Sequence, residues 1–297
     1  MPLDNFKISM LVVLMRGRSP DSVCAGGTVL HRHGYRLSSD QDIFHASGTN
    51  LAKVADSDVK ALQEAGFAVE VGKVREGLYE AVVAKEGEGF TKVQWVESGS
   101  WNFFMPVPDE QFGWRLHMAD LAINKVLAAG GRRQVRDYVD LCLIHRHIMP
   151  LWLAIWAAPG KDESWSPESL AEKIARTNGF RQEEVDEGVL ATIELSASDI
   201  GSTVREAIEE AREVFRSLPD EHAGKLFVGE NGELVTDIAA ISHGASGIRP
   251  LEATQGGTWP SESDIDSALI RRVVDAYGWE GSAPDTGYDP SVAITAK

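Results

Sequence analysis

The hydrophobic period of this chain changes once, and that change sets what it can fold into. Up to about residue 114 the apolar residues come in short runs. "SVCAGG" and "QDIFHA" read as strands, residues 49 to 66 as a helix closed by Gly66, and "FAVEV", "LYEAVVAK" and "FTKVQWVE" as further strands. The last two are divided by the glycine-containing turn "EGEG", a hairpin signal. From 115 onward the spacing is helical. "WRLHMADLAINKVLAAGG" stops at a glycine pair, and "RQVRDYVDLCLIHRH" places Val135, Val139, Cys142 and Leu143 on one stripe. Helices follow at 166 to 178, opened by "SPES", and at 202 to 217. Strand partners share a face two residues apart and helix partners three or four apart, so one segment cannot serve both geometries. The sequence therefore predicts an α+β chain: a mixed sheet with flanking helices over 1–114, a helical domain over 115–220, and a small extension over 221–297. At 297 residues each main unit can bury a core without disulfides.

In the extension, "LFVGENGELV" reads as a hairpin turning at Asn231-Gly232. Residues 238 to 263 are rich in Gly, Ser, Thr and Pro and read as a loose connection. "SDIDSALIRRVVDAYG" predicts one more amphipathic helix, with Ile265, Leu269, Val273 and Tyr277 as its inner face. The last residues are expected to be mobile.

A net charge of -16 argues against nucleic acid as a partner of the whole surface, but the charge is uneven. Residues 1 to 36 hold five Lys/Arg against two Asp/Glu, and 115 to 147 hold six against three, whereas 161 to 237 hold eight against nineteen. A local positive field can still steer a polyanionic substrate to the first two segments. The acidic stretch also suits a plain solvated helix face. Cys24 and Cys142 show no metal-ligand spacing and read as reduced, partly buried thiols. "ISMLVVLM" at 8 to 15 is too short to span a bilayer and lacks the flanks of a signal peptide. The expected setting is cytoplasmic, without a membrane.

The chemistry concentrates in "CAGGTVLHRHGYRLSSDQDIF", residues 24 to 44. Gly26 and Gly27 end an apolar strand, and Thr28 opens a short apolar run. Glycine there lets backbone N-H groups and the positive end of a helix approach a phosphate chain closely. Asp40 and Asp42 lie two apart in a strand and so face one side, about 7 Å apart at Cα. Two hard oxygen ligands suit Mg²⁺, which takes one or two carboxylates together with substrate phosphates and water. Arg36, Ser38 and Ser39 add phosphate-ready donors between the two elements. A glycine pair alone also marks plain tight turns, and a DxD alone also occurs on solvated strand edges. The combination is more specific than either.

These residues resemble the signature of nucleotidyltransferases of the polymerase-beta-like superfamily, in particular the AbiEii/AbiGii type that serve as toxins in type IV toxin-antitoxin systems. "LHMADLAINKVLAAGGRRQVRDYVDL" is similar to that family's downstream segment, in which a helical lysine precedes an "RDxxDL" motif. The resemblance covers residues 20 to 145 in order. It implies that Gly26, Gly27 and Thr28 hold a nucleoside triphosphate, beside the donors Arg36 and Ser38 read above, and that Asp40 and Asp42 bind Mg²⁺ and position the α-phosphate. It further implies that Lys125 contacts the phosphates or neutralises the pyrophosphate leaving group, and that Asp137, together with Asp140, orients the nucleotide or the attacking hydroxyl. The acceptor would be RNA, such as a tRNA 3' end, or a protein hydroxyl, and a cognate antitoxin would be a partner.

Spacing alone reads the second segment differently. Asp137 and Asp140 share a helix face, and Arg133 and Arg136 stand four residues before each, which suits intrahelical ion pairs. Lys125 lies off the Ile123/Leu127 stripe, where periodicity expects a solvated lysine. The superfamily often supplies a third carboxylate from a neighbouring strand, where this chain has Gln94, an amide that cannot replace an anionic ligand. Alternation puts Glu97 on the opposite face from Gln94. Retention of Asp40 and Asp42 favours the enzyme, and Gln94 favours an inactive nucleotide-binding or interaction module on the same fold. The histidine pairs His31/His33 and His145/His147 suit phosphate or solvent contact better than a metal. The tryptophan-rich runs suit core packing better than base stacking.

Overall fold

Asp4 caps helix α1, Asn5–Leu14, its carboxylate accepting a hydrogen bond from the backbone of Lys7 at 2.7 Å. The apolar residues of this helix run around all sides, which is why no period announces it. The computed structural model describes residues 4–32, 36–99, 101–230 and 232–258. The helix predicted at 263 to 278 and the chain end predicted to be mobile lie outside the described residues, as does the Asn231 of the expected turn. The chain divides into two compact units.

The first unit continues through β1 (Ser22–Ala25), α2 (Gly26–Leu30), β2 (Asp40–His45), α3 (Leu51–Glu64), β3 (Ala68–Arg75), β4 (Leu78–Lys85) and β5 (Gly89–Glu97). The chain passes through β6 (Trp101–Asn102), which belongs to the second unit, and returns with β7 (Val107–Asp109) and β8 (Gly113–Arg115). The seven strands of this unit form one mixed sheet in the order β3-β4-β5-β2-β1-β8-β7. β2 runs antiparallel to β1 and parallel to β5, while β4 runs antiparallel to both β3 and β5.

Alternation sorts the central strands into two faces. Ile43, Tyr79, Ala81, Val83, Val93 and Trp95 point to a core with Phe6, Met10 and Leu14 of α1 and Ala55, Val59 and Leu62 of α3. Asp40, Asp42, Glu80, Lys92 and Gln94 project from the other face. Within the core, Asp58 is buried between the Arg18 guanidinium and the Trp95 indole, whose Nε1 donates to Asp58 Oδ2 at 2.7 Å. The charge is thus paired and hydrogen-bonded, as a buried carboxylate requires.

The second unit is mainly helical: α4 (Met118–Gly131), α5 (Val135–His147), α6 (Leu151–Ala157), α7 (Pro167–Thr177), α8 (Gln182–Gly188) and α9 (Ala197–Phe215). α4 starts at Met118, later than the helical spacing suggests, because Gly113–Arg115 pairs as a strand with β7 and β1. α7 starts at Pro167 behind the cap Ser166, with Ser166 and Ser169 exchanging cap hydrogen bonds. α9 starts at Ala197, capped by Ser196, a turn earlier than expected. Trp152, Trp156, Leu170, Ile174, Ile200 and Ile208 are buried here, and Trp95 is buried in the first unit, so these indoles are core, whereas Trp101 of the same tryptophan-rich run as Trp95 is exposed. Asp120 accepts hydrogen bonds from the backbone of Phe103 and Phe104 at 2.9 and 3.0 Å and is paired with the buried Lys161.

Residues 225 to 258 correct the expected hairpin. β9 (Lys225–Val228) meets the returning segment through the single bridge Val228 to Leu234. Its strand partner is β10 (Arg249–Glu252), which follows the short α10 (Ile238–Ser242). Both lie within the stretch expected to be a loose connection, and β11 (Thr254–Gln255) pairs there with β6. The glycines of this stretch end short elements instead of forming a flexible linker. Among the described residues no single helix is long and apolar enough to cross a membrane.

Candidate active site

The strand β2 sets the two carboxylates. Asp40 and Asp42 are both half-buried and alternate with the buried Gln41 and Ile43, so they share the face away from the core. Two hydrogen bonds fix Asp40. Ser38 Oγ donates to its Oδ1 at 2.9 Å, and Thr28 Oγ1 donates to its backbone carbonyl at 2.6 Å. Thr28 therefore acts on the strand backbone through its hydroxyl.

β1 delivers the glycine pair to the same place, since Ala25 is in register with Asp42. Gly26 has a φ of 74°, and a Cβ there would overlap the Asp42 carboxylate, with the carboxyl carbon 2.7 Å away. A Cβ on Gly27 would stand 2.8 Å from Ser38 Oγ and 3.1 Å from Arg36 Nη2. Gly26, Gly27, Thr28, Arg36, Ser38, Asp40 and Asp42 thus occupy one small volume. Phosphate-type donors stand there beside metal-type acceptors.

Lys7 of α1 belongs to this group, and sequence reasoning missed it. It is buried, and its Nζ donates to the Ser38 carbonyl. Burial lowers its pKa, with Asp4 and Asp40 pulling the other way and Arg36 adding to the lowering. A lysine immediately before the apolar run of residues 8 to 15 gave no signal, because only the tertiary fold brings α1 to residue 38.

β5 lies on the other side of β2. Gln94 is in register with Asp42, at the position where a third carboxylate would be sought, and Nε2 donates to Glu80 Oε2 of β4 at 2.8 Å. Glu97 turns to the other face and accepts a hydrogen bond from the Gly48 backbone at 2.9 Å.

The remaining predicted residues lie in the second unit, held differently from what helix spacing suggests. Asp137 and Asp140 are fully buried. Arg132 grips Asp137 with two hydrogen bonds at 2.8 and 3.1 Å, and Lys125 Nζ meets Asp140 Oδ2 at 2.7 Å. Arg133 turns instead to Glu184 at 2.9 Å. The expected pairs from Arg133 and Arg136 are replaced because the buried carboxylates face α4 and its end, where Lys125 and Arg132 stand. Lys125 is correspondingly only 13% exposed rather than solvated. Asp137 also sits in the first turn of α5, where the helix dipole favours a negative charge.

His145 is engaged structurally, its Nδ1 accepting from the Leu151 backbone at 3.3 Å, and His31 is buried. His33 lies outside the described residues.

No known family profile and no curated protein sequence matches this chain. Among solved structures it is similar to JHP933 from Helicobacter pylori, with a TM-score of 0.45 and 16% identity over 71% of this chain and 94% of that one. It is also similar to MenT4, a nucleotidyltransferase toxin from Mycobacterium tuberculosis, with a TM-score of 0.49 and 13% identity over 92% of this chain and 90% of that one.

Proposed function

We propose that this protein is a Mg²⁺-dependent nucleotidyltransferase that moves a nucleoside monophosphate from an NTP to a hydroxyl and releases pyrophosphate. One observation carries the reading. Gly26 presents bare backbone against Asp42, at a point where any side chain would collide with the carboxylate. A chain that needed only a tight turn would not require that approach. Close access of backbone N-H groups to a carboxylate pair suits a phosphate and a divalent cation bound together.

The donor set fits magnesium, with Asp40 and Asp42 as its protein ligands. When bound, the ion draws charge from the phosphate under attack. The chain's own residues do the rest. Arg36 and the Gly26 and Gly27 backbone bind the phosphates, while Ser38 and Thr28 hold Asp40 in place. Lys125 is assigned to the pyrophosphate, and Asp137 and Asp140 to orientation, as the family resemblance implies. The acceptor is RNA or protein, and toxin action with a cognate antitoxin follows from the same resemblance.

A second reading, a nucleotide-binding module without catalysis, is favoured by Gln94 standing in register with Asp42. Incubation of the purified protein with each α-labelled NTP, Mg²⁺ and total cellular RNA or protein separates the two. The enzyme labels an acceptor and releases pyrophosphate. Asp40→Asn and Asp42→Asn then lose at least about a hundredfold in rate while remaining folded. Nucleotide binding without pyrophosphate release supports the module.

A further inference from the structure

Asp42 stands between two different neighbours. On one side it is in register with Ala25, the residue before Gly26, and on the other with Gln94 of β5, which is in register with Glu80 of β4. Directly paired residues project to the same face, and adjacent strands lie about 4.8 Å apart. The glycine cradle, Asp42, Gln94 and Glu80 therefore form a row across the sheet, with Glu80 about 10 Å from Asp42 at Cα.

Displacement at phosphorus proceeds in line, with the attacking and leaving oxygens on opposite sides. If the phosphate chain lies over Gly26 and Gly27, the pyrophosphate leaves toward β1. The attacking hydroxyl then enters from the opposite side, over Gln94.

We propose that Glu80, held in place by Gln94, is the carboxylate that aligns the acceptor hydroxyl and takes its proton. This rests on the nucleotidyltransferase reading. As the acceptor oxygen forms its bond to the α-phosphorus, the bond from phosphorus to the bridging oxygen breaks and its electron pair leaves with pyrophosphate. The hydroxyl proton passes to Glu80 and then to solvent.

The local contacts suit that role. Gln94 Nε2 at 2.8 Å and Lys92 Nζ at 3.5 Å both engage Glu80 Oε2, so Oε1 is the oxygen placed to receive a proton. Glu80 keeps 25% of its side chain exposed, enough to return the proton to water. The amide at 94 also acquires a reason. A carboxylate there would set three anions side by side, each opposing ionisation of the next, whereas an amide orients Glu80 without adding charge.

The apolar row Phe44, Val96 and Leu78 borders the polar one on the same face and gives the carrier of the hydroxyl a surface to rest on. The row was hidden from sequence reasoning because Glu80 lies two strands away from Asp42.

The test measures pyrophosphate release from each Mg·NTP, with water alone and with total cellular RNA or protein as acceptor, beside NTP affinity by calorimetry. Glu80→Gln should keep affinity within about twofold and slow release about a hundredfold. Glu80→Asp should retain part of the release that Glu80→Gln loses, and Gln94→Leu should slow release less than Glu80→Gln. Parental release in Glu80→Gln, with Asp42→Asn inactive, would overturn the assignment and leave the nucleotidyltransferase reading standing. Release by Asp42→Asn equal to the parent, or none by the parent in any arm, would overturn the reading beneath it.

Discussion

Lys125 Nζ lies 2.7 Å from Asp140 Oδ2, and the Asp140 side chain is fully buried. The pair joins α4 to α5, and Arg132, just past the end of α4, grips the equally buried Asp137, three residues before Asp140 on α5. Both carboxylates are therefore held from the preceding helix and its end, not from their own. An intrahelical Arg placed N-terminal to Asp is the weaker order for such a pair, and at the surface it contributes only a few tenths of a kcal/mol. A buried carboxylate needs a partner that enters the interior with it.

Replacing Lys125 with Met should consequently destabilise the fold, because Asp140 keeps its burial and loses its counter-charge. The expected cost is about 3 kcal/mol. Lys60→Met, at a lysine whose side chain is 77% exposed, should stay within about 0.5 kcal/mol. Urea unfolding of both variants checks this. The double variant Lys125→Met/Asp140→Asn should recover part of the loss, since no uncompensated charge remains. If the double variant regains stability without regaining turnover, the Lys125 and Asp140 pair serves the reaction as well as the fold.

Acid should weaken the fold through two histidines. Burial holds the His45 pKa down at about 4 and the His117 pKa down at about 3, with Arg18 adding to the first and Arg115 to the second. Both rings are neutral in the folded state, while the unfolded chain protonates them below about 6.5. Their contribution is present above that value and is lost as pH falls toward the folded pKa. At pH 5 each should have removed about 2 kcal/mol relative to pH 7.5. Urea midpoints at the two pH values, for the parent and for His45→Gln and His117→Gln, measure the slope. Each variant should flatten it.

Both cysteines should resist thiol reagents. Burial pushes the Cys24 and Cys142 thiols up to about 12, so almost no thiolate exists at pH 8. Labelling with a coloured disulfide reagent should read close to no reactive thiol in native protein and two after unfolding in urea. Rapid native labelling would mean that one of the two helical or strand segments opens locally.

Local periodicity explains what was legible. Alternation placed Asp40 and Asp42 on one face and Glu97 opposite Gln94, because a strand's side-chain period leaves no other choice. The glycine pair and the hydroxyl after it were legible for the same reason, being neighbours in the chain. Lys7, Glu80 and the Lys125 to Asp140 pair were not, since each joins elements that only tertiary packing brings together. α1 escaped because a helix apolar on all sides has no stripe. β10 escaped because a strand of four residues among glycines carries too few alternations to register.

Gly26 offers the sharpest test of the proposed site, because a second glycine supplies its control. Gly26 and Gly48 both adopt positive φ, at 74° and 82°, so alanine at either strains the backbone by about 1 to 2 kcal/mol. They differ in what the new methyl group meets. At Gly48 nothing lies within 4 Å, whereas at Gly26 the methyl group runs into the Asp42 carboxylate. Gly48→Ala should therefore lose only the strain energy and keep parental pyrophosphate release. Gly26→Ala should lose more stability than Gly48→Ala and should lose turnover about a hundredfold, since Asp42 must move off the position that binds the cation. Thermal unfolding and pyrophosphate release, measured side by side, separate the two effects. Parental turnover in Gly26→Ala would show that the close approach serves only the turn, and the nucleotidyltransferase reading would lose the observation that carries it.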